Sequence, residues 1–308
     1  MKLSLFDLHA DTAWAMYQFN QPLGENNLAV SLKNAENYDR YIQTMALWTS
    51  PKLSDDEGYE HLFKMVENLK NDRALLDGKA ELCSTCPTRE SKAASLILSL
   101  EDARVLGGHI ERVAELATLG IKSVIPMWSG ETCMGGSHNT TMGLSNFGKR
   151  ASKEMLLHGM VLDISHASEA TSNDIFELSA AHNAPVIASH SNAYTVCPVS
   201  RNLKDWQTHA ILASGGIIGL NLYRAFLEED GEATLDSILH HIEHFLSLGA
   251  EKSLALGCDM DGAELLTAIP NLASLDRLAE HLSAHGYSQA LIKDLFFENA
   301  YRFAQKHF

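Results

Sequence analysis

Five apolar runs in this sequence end in histidine or carboxylate, a combination suited to holding metal ions. They close as Asp7-Leu-His9-Ala-Asp11, Ser99-Leu-Glu101-Asp102, Asp163-Ile-Ser-His166, Ala188-Ser-His190-Ser and Gly257-Cys-Asp259-Met-Asp261. His9 and Asp11 stand at i and i+2, so on a strand both face one side and can converge on one ion. With Glu101, His166 and His190 the set becomes three imidazoles and two carboxylates, the nitrogen and oxygen mixture that suits zinc or another divalent metal. A catalytic zinc keeps about three protein ligands and an open position. Five ligands therefore point to two metals sharing a bridging carboxylate. Such a pair, roughly 3.5–4 Å apart, could hold a bridging hydroxide and polarise a carbonyl oxygen. Asp259 is left as a proton carrier.

For these residues to meet, each must stand at the same end of its own strand. Apolar runs predict strands at Leu3–Leu8, Gln43–Thr49, Ser95–Leu100, Lys122–Met127, Met160–Ser165, Pro185–Ser189, Gly216–Leu222 and Ser253–Cys258. Helical periodicity falls between them at Asp56–Asn71, His109–Leu119, Phe147–His158, Ser168–His182, Leu203–Ala213 and Leu235–Leu248, then at Leu272–His285 and Ser288–Gln305. Eight βα units in 308 residues match a (β/α)8 TIM barrel, in which chemistry collects at the C-terminal strand ends. An open doubly wound sheet is the competing architecture. No linker rich in Gly, Ser or Pro divides the chain, so residues 1–308 are expected to form one domain. The loop Ser129–Ser145, rich in Gly, Thr and Ser, is a candidate active-site loop.

Composition narrows the class. The charge balance is 24 − 39 = −15, and no run of Lys or Arg builds the basic patch that a phosphate backbone requires. Nucleic acid is excluded as a partner. Met1–Asp11 lacks an export pattern, and no stretch reaches the roughly 18 apolar residues of a membrane span. Five scattered cysteines, an odd number, suit reduced thiols in a cytoplasmic protein. Cys83-Ser-Thr-Cys86 is a lone CxxC without the second pair a zinc site needs. Gly143-Leu-Ser-Asn-Phe-Gly148-Lys149-Arg150 mimics a phosphate loop but has Arg150 where the magnesium-binding hydroxyl belongs. In His240-His241-Ile-Glu243-His244 the residue after the first His is not Glu, so a solvated outer helix face is expected there. Ser165, His166 and Asp163 are nearly contiguous and lack a GxSxG elbow, so no hydrolytic triad is assigned.

Several ordered motifs together resemble the membrane dipeptidase (renal dipeptidase) family of metallopeptidases. They run from His9/Asp11 to Gly262 and are densest between Gly143 and Asn202: Gly159-Met-Val-Leu-Asp-Ile-Ser-His166, Ser189-His-Ser-Asn-Ala-Tyr194 and Cys197-Pro-Val-Ser-Arg-Asn202. The closing Gly257-Cys-Asp-Met-Asp-Gly262 also fits. The resemblance implies a distorted (β/α)8 TIM barrel of the metal-dependent hydrolase type with two zinc ions, other divalent metals being possible. His9 and Asp11 would bind the first ion, Glu101 would bridge, and His166 and His190 would bind the second. It further implies that Arg201 grips the free carboxylate of a dipeptide and that Asp259 passes a proton from the attacking water to the leaving amine. Animal-type members have a His that polarises the scissile carbonyl where this chain has Trp128, as some bacterial relatives do. An indole donates one hydrogen bond and cannot become a cation, which shifts that task toward zinc. The animal lipid-anchor tail has no counterpart in Tyr301–Phe308. A bacterial-type, cytoplasmic homodimer without a membrane anchor is expected.

The expected activity is hydrolysis of dipeptides by a metal-bridging hydroxide, with Arg201 disfavouring longer peptides. The alternatives are a binuclear-metal amidohydrolase acting on another small amide or lactam, and a barrel that has lost activity and serves as a scaffold.

Overall fold

The computed structural model describes residues 2–229 and 232–308. Among the described residues nine parallel strands form: β1 (Leu5–Ala10), β2 (Tyr41–Trp48), β3 (Ala80–Leu82), β4 (Ala94–Glu101), β5 (Ile121–Ile125), β6 (Val161–Asp163), β7 (Val186–Ile187), β8 (Ile218–Leu220) and β9 (Leu254–Leu256). Eight run side by side in the order β7-β6-β5-β4-β2-β1-β9-β8, and the bridge of Ala188 to Ile218 joins the two ends. The sheet is thus a (β/α)8 barrel. All eight expected strands form, each shorter than or close to its apolar run. The ninth, β3, lies beside the first half of β4, which β5 meets only from Leu98 onward.

The closing seam needs small residues. A Cβ on Gly219 would come within 1.9 Å of the Ser189 carbonyl oxygen, and one on Gly257 within 1.7 Å. Glycine at both positions lets β7, β8 and β9 approach closely enough to complete the ring.

Below the C-terminal strand ends, Phe6, Leu8, Ile42, Ile97, Val161, Ile187 and Ala255 pack together inside the barrel, with Phe297, Tyr301 and Phe303 from the C-terminal helices against them. Each fully buried aromatic or branched side chain contributes about 1.5–3 kcal/mol relative to exposure. This plug closes the bottom and leaves the opposite mouth for polar groups. The C-terminal helical run is not continuous: Gln289–Lys293 passes through a π turn at Asp294–Glu298 into Asn299–His307.

The packing of β1 carries the main functional irregularity. Phe6 and Leu8 face the barrel interior, while the Asp7 carboxylate between them accepts from Gln43 Nε2–H and the Cys258 backbone N–H, at 3.0 and 2.8 Å. Simple alternation would send His9 the same way as Asp7. Instead β1 advances from Asp7 to Ala10 while β2 advances only from Gln43 to Met45. The extra residue is a β-bulge, and bulges re-aim side chains next to active sites. It turns His9 toward Glu101. No helix among the described residues is long and apolar enough to cross a membrane.

Candidate metal centre

Glu101 stands at the end of β4 with its carboxylate between two groups of imidazoles. Its Oε2 is 3.3 Å from His9 Nε2, and its Oε1 is 2.9 Å from His166 Nε2 and 3.8 Å from His190 Nε2. On the His9 side, Asp11 Oδ2 lies 3.6 Å and Asp259 Oδ1 3.9 Å from His9 Nε2. All six side chains expected from the motifs therefore converge at the barrel mouth. The other strand-end carboxylates do not join them. Asp163 accepts the Ser165 and Ser189 N–H groups, Asp102 pairs with Arg104 at 3.1 Å, and Asp261 accepts Thr12 O–H and Ala29 N–H.

Three observations test whether these residues fit metal. His166 Nδ1 is 3.0 Å from the Trp128 carbonyl, which can only accept, so the proton is on Nδ1 and Nε2 offers a lone pair. That Nε2 faces His190 Nε2 at 3.0 Å, while His190 Nδ1 is engaged by the Ser189 hydroxyl. Two ring nitrogens aimed at one point beside a carboxylate suit a shared cation. Finally, His9 Nδ1 and Nε2 and Asp11 Oδ1 are buried without a hydrogen-bond partner among the described residues. Buried polar atoms rarely remain unpaired unless a ligand or ion completes them.

Electrostatics point the same way. Burial, reinforced by the positive fields of His9 and Arg201, holds His166 and His190 well below the usual imidazole range, keeping them neutral as ligation requires. Burial pushes Glu101 up to about 8, and the Asp11 charge adds to this. Carboxylates crowded into one buried site carry negative charge that a divalent cation would neutralise.

The local backbone is specialised. His166 and Asp259 adopt φ of 73° and 62°, left-handed values uncommon outside glycine, at the turns that aim them inward. Gly262 is required for another reason: a Cβ there would meet Asp11 Oδ2 at 1.9 Å. The closing Asp-x-Asp-Gly motif thus supplies a site residue, a brace and a clearance for the Asp11 carboxylate.

Beside the centre lies a cavity of about 410 Å³, with Arg201 and Asp259 among its lining and an apolar wall of Trp14, Trp48, Trp128 and Phe226. The volume falls within the range of small-ligand sites, roughly 300–1,000 Å³. Trp48 stacks edge-on against Trp14 and Trp128, with ring centroids 5.2 and 5.4 Å apart. Arg201 is buried, and its Nε and Nη1 have no partner among the described residues. Residues not singled out in the sequence also belong here. Asn221 donates from Nδ2 to Asp259 Oδ2 at 2.9 Å. His138, from the Ser129–Ser145 loop, lines the cavity and meets Ser200 Oγ at 2.8 Å. Asn221 was findable as the polar end of an apolar run. The contact that Trp128 makes with His166 Nδ1 comes from its backbone carbonyl and so does not depend on the side chain.

With this geometry in place, comparison with known proteins is decisive. The family model for membrane dipeptidase, peptidase family M19, matches residues 1–307. This chain belongs to that family. A metallopeptidase from Rhodobacter sphaeroides, solved with a phosphinate mimic of L-Ala-D-Ala, has a TM-score of 0.91 at 25% identity, with 100% of both chains covered. The M19 metallopeptidase called dipeptidase AC has a TM-score of 0.90 at 27% identity, covering 100% of this chain and 99% of its own. An uncharacterised Klebsiella pneumoniae protein from the pqqA 5′ region is 32% identical over 256 residues, covering 77% of this chain and 93% of that protein. As an M19 member the chain is a metal-dependent hydrolase of the dipeptidase type.

The remaining motifs of the sequence resolve into structure. Lys149 pairs with Asp174 at 2.9 Å, so the phosphate-loop mimic presents its lysine to a carboxylate. Cys83 and Cys86 are free, and burial raises both thiols above the ordinary range, away from reactive thiolate. The helix containing His240–His244 corrects one expectation. His240 is exposed and His244 half-buried, but His241 is buried, accepting Ala193 N–H on Nδ1 at 3.1 Å and meeting the Leu227 carbonyl through Nε2 at 3.2 Å.

Burial lowers His241 to about 4. Its neutral form is favoured by the folded state, so its contribution is complete above pH 6.5 and is lost as pH falls toward 4. A drop from 6.5 to about 4 corresponds to about 3 kcal/mol. Denaturant unfolding at pH 7 and pH 4 should show His241→Gln losing about 3 kcal/mol less than wild type over that interval. Equal losses would remove His241 as the source.

Proposed function

We propose that this M19 member is a dipeptidase working with two zinc ions, His9 and Asp11 on one, His166 and His190 on the other, and Glu101 between them. The observation that carries this reading is the division of the Glu101 carboxylate, with Oε2 toward His9 and Oε1 toward His166 and His190. Such ions would lend Lewis acidity to the scissile carbonyl and to the attacking water.

The remaining work falls to side chains. Arg201 receives the free C-terminal carboxylate of the dipeptide on an edge of its guanidinium, whose Nε and Nη1 are left unpartnered. Asn221 holds Asp259 Oδ2, leaving Oδ1 facing His9 and the reaction centre. Oδ1 takes the proton of the attacking water and returns it to the departing amide nitrogen. Trp128, on the cavity wall, offers its single indole N–H to the substrate, and Trp14 and Trp48 exclude water around its side chains. The reading extends to one domain over residues 1–308 and to a cytoplasmic homodimer; five free cysteines support the compartment.

The test is turnover of a panel with zinc stoichiometry measured on the same protein. Dipeptides, including those with a C-terminal D-residue as in the phosphinate mimic held by the Rhodobacter relative, should be cleaved. Tripeptides should fall at least about tenfold in kcat/KM, equivalent to about 1.4 kcal/mol of lost anchoring. Tripeptides cleaved as fast as dipeptides would sink the role of Arg201. Lactams or N-acylated amino acids preferred over every dipeptide would establish the wider amidohydrolase activity instead.

A further inference from the structure

A second cluster of metal-ligand side chains lies outside the barrel mouth, between helices Leu235–Ser247 and Asp276–Ala284. Asp236 comes from the first turn of one helix. His281 and His285, from the other, are one turn apart and share a face, with ring centroids separated by 4.3 Å. Asp236 Oδ1 is 2.8 Å from His281 Nε2 and 3.9 Å from His285 Nε2, and the three donor atoms lie within 4.8 Å of one another. Ligands about 2.0–2.1 Å from a tetrahedral zinc stand about 3.3 Å apart. The two Asp236 distances straddle that spacing. So do the separations of 2.9, 3.8 and 3.0 Å among Glu101, His166 and His190.

The orientation of His285 supplies a second, independent observation. Its Nδ1 is 2.9 Å from the His281 carbonyl oxygen. A carbonyl only accepts, so Nδ1 carries the proton and Nε2 turns a lone pair toward Asp236. This backbone lock is how ligating histidines are commonly held. The side chains of His281, His285 and Asp236 are 19%, 44% and 62% exposed, which leaves an approach for a metal and room for water as a further ligand.

We propose that Asp236, His281 and His285 form an additional site for a divalent transition metal of the zinc class. Two imidazoles and one carboxylate favour zinc, nickel or copper over magnesium or calcium, which prefer oxygen donors. A metal there ties the start of one helix to the end of the other. The first helix also carries His241, which holds the backbone at Ala193 and Leu227, so the clamp steadies the support beneath the barrel mouth.

The experiment is a zinc titration of the full-length protein stripped with a chelator, followed by calorimetry and elemental analysis, alongside His285→Ala and Asp236→Asn. Wild type should bind one more equivalent of zinc than either variant, and nickel should raise its thermal midpoint by an increment both variants lack. Dipeptide turnover with the barrel-mouth metals loaded should be the same in all three. Equal stoichiometry in wild type and both variants would overturn the proposal. The comparison is a difference between proteins, so it stands whether or not the barrel mouth itself binds two ions.

Discussion

Replacing Asp259 by asparagine lowers kcat by about 10²–10⁴-fold, the range associated with losing a positioned acid–base group, while KM and zinc content remain near wild type. Asparagine matches the carboxylate in shape and tolerates the left-handed backbone found here, φ 62°. The fold around β9 should therefore survive. What disappears is the ability to accept a proton. Burial raises the Asp259 pKa, countered by the positive field of His9 and raised again by Asp11, so its carboxylate is a stronger base than an exposed aspartate. Asn221 holds one oxygen and leaves the other directed at the centre. Steady-state kinetics with elemental analysis distinguishes the roles. A variant that loses zinc along with activity makes Asp259 a metal ligand, consistent with its grouping beside His9 and Asp11. A variant with unchanged kcat removes it from the reaction.

The barrel was legible because its strands are apolar runs ended by polar residues, and the candidate site was legible because those ends bear His, Asp and Glu, side chains that the fold brings to one mouth. The β1 bulge was not. Its consequence depends on pairing with β2, and nothing in Leu8-His9-Ala10 marks the extra residue. The helix Thr12–Phe19 follows β1 almost without a loop, and Thr12, Ala13, Ala15 and Met16 are buried on several sides, so it lacks a clear apolar stripe. β3 is too short, at Ala80–Leu82, to register as a periodic segment. His241 is a different case. Ile238, His241, Ile242 and Phe245 fall at i, i+3, i+4 and i+7, so this histidine occupies the buried face of its helix. The helical periodicity alone therefore contains the burial of His241, whatever the neighbouring histidines suggest. His138 could be assigned to an active-site loop from composition, but its meeting with Ser200 required the fold.

Arg201→Met should make the protein more stable by about 1–3 kcal/mol and lower kcat/KM for dipeptides by about 10²–10³-fold. Arg201 is 5% exposed, and its Nη2–H reaches the His190 carbonyl only at 3.4 Å. Its Cζ lies 5.3 Å from the Phe226 ring centroid, a cation–π contact that offsets part of the desolvation. Burial lowers its pKa to about 10, partly offset by Asp259, Glu101 and Asp163, so it remains charged at pH 7. A charge buried without a paired carboxylate is costly, and replacing it with a flexible apolar side chain relieves that cost. The same desolvation makes the guanidinium effective toward a substrate carboxylate, because the ligand need not displace a strong internal ion pair. Arg201→Lys would keep the charge but lose the two-pronged geometry, and should lie between wild type and Met in kcat/KM. Denaturant unfolding and dipeptide kinetics on the three proteins separate the possibilities. Greater stability with lost dipeptide preference identifies a cation held for substrate, whereas a destabilised Met variant with unchanged KM identifies a structural one.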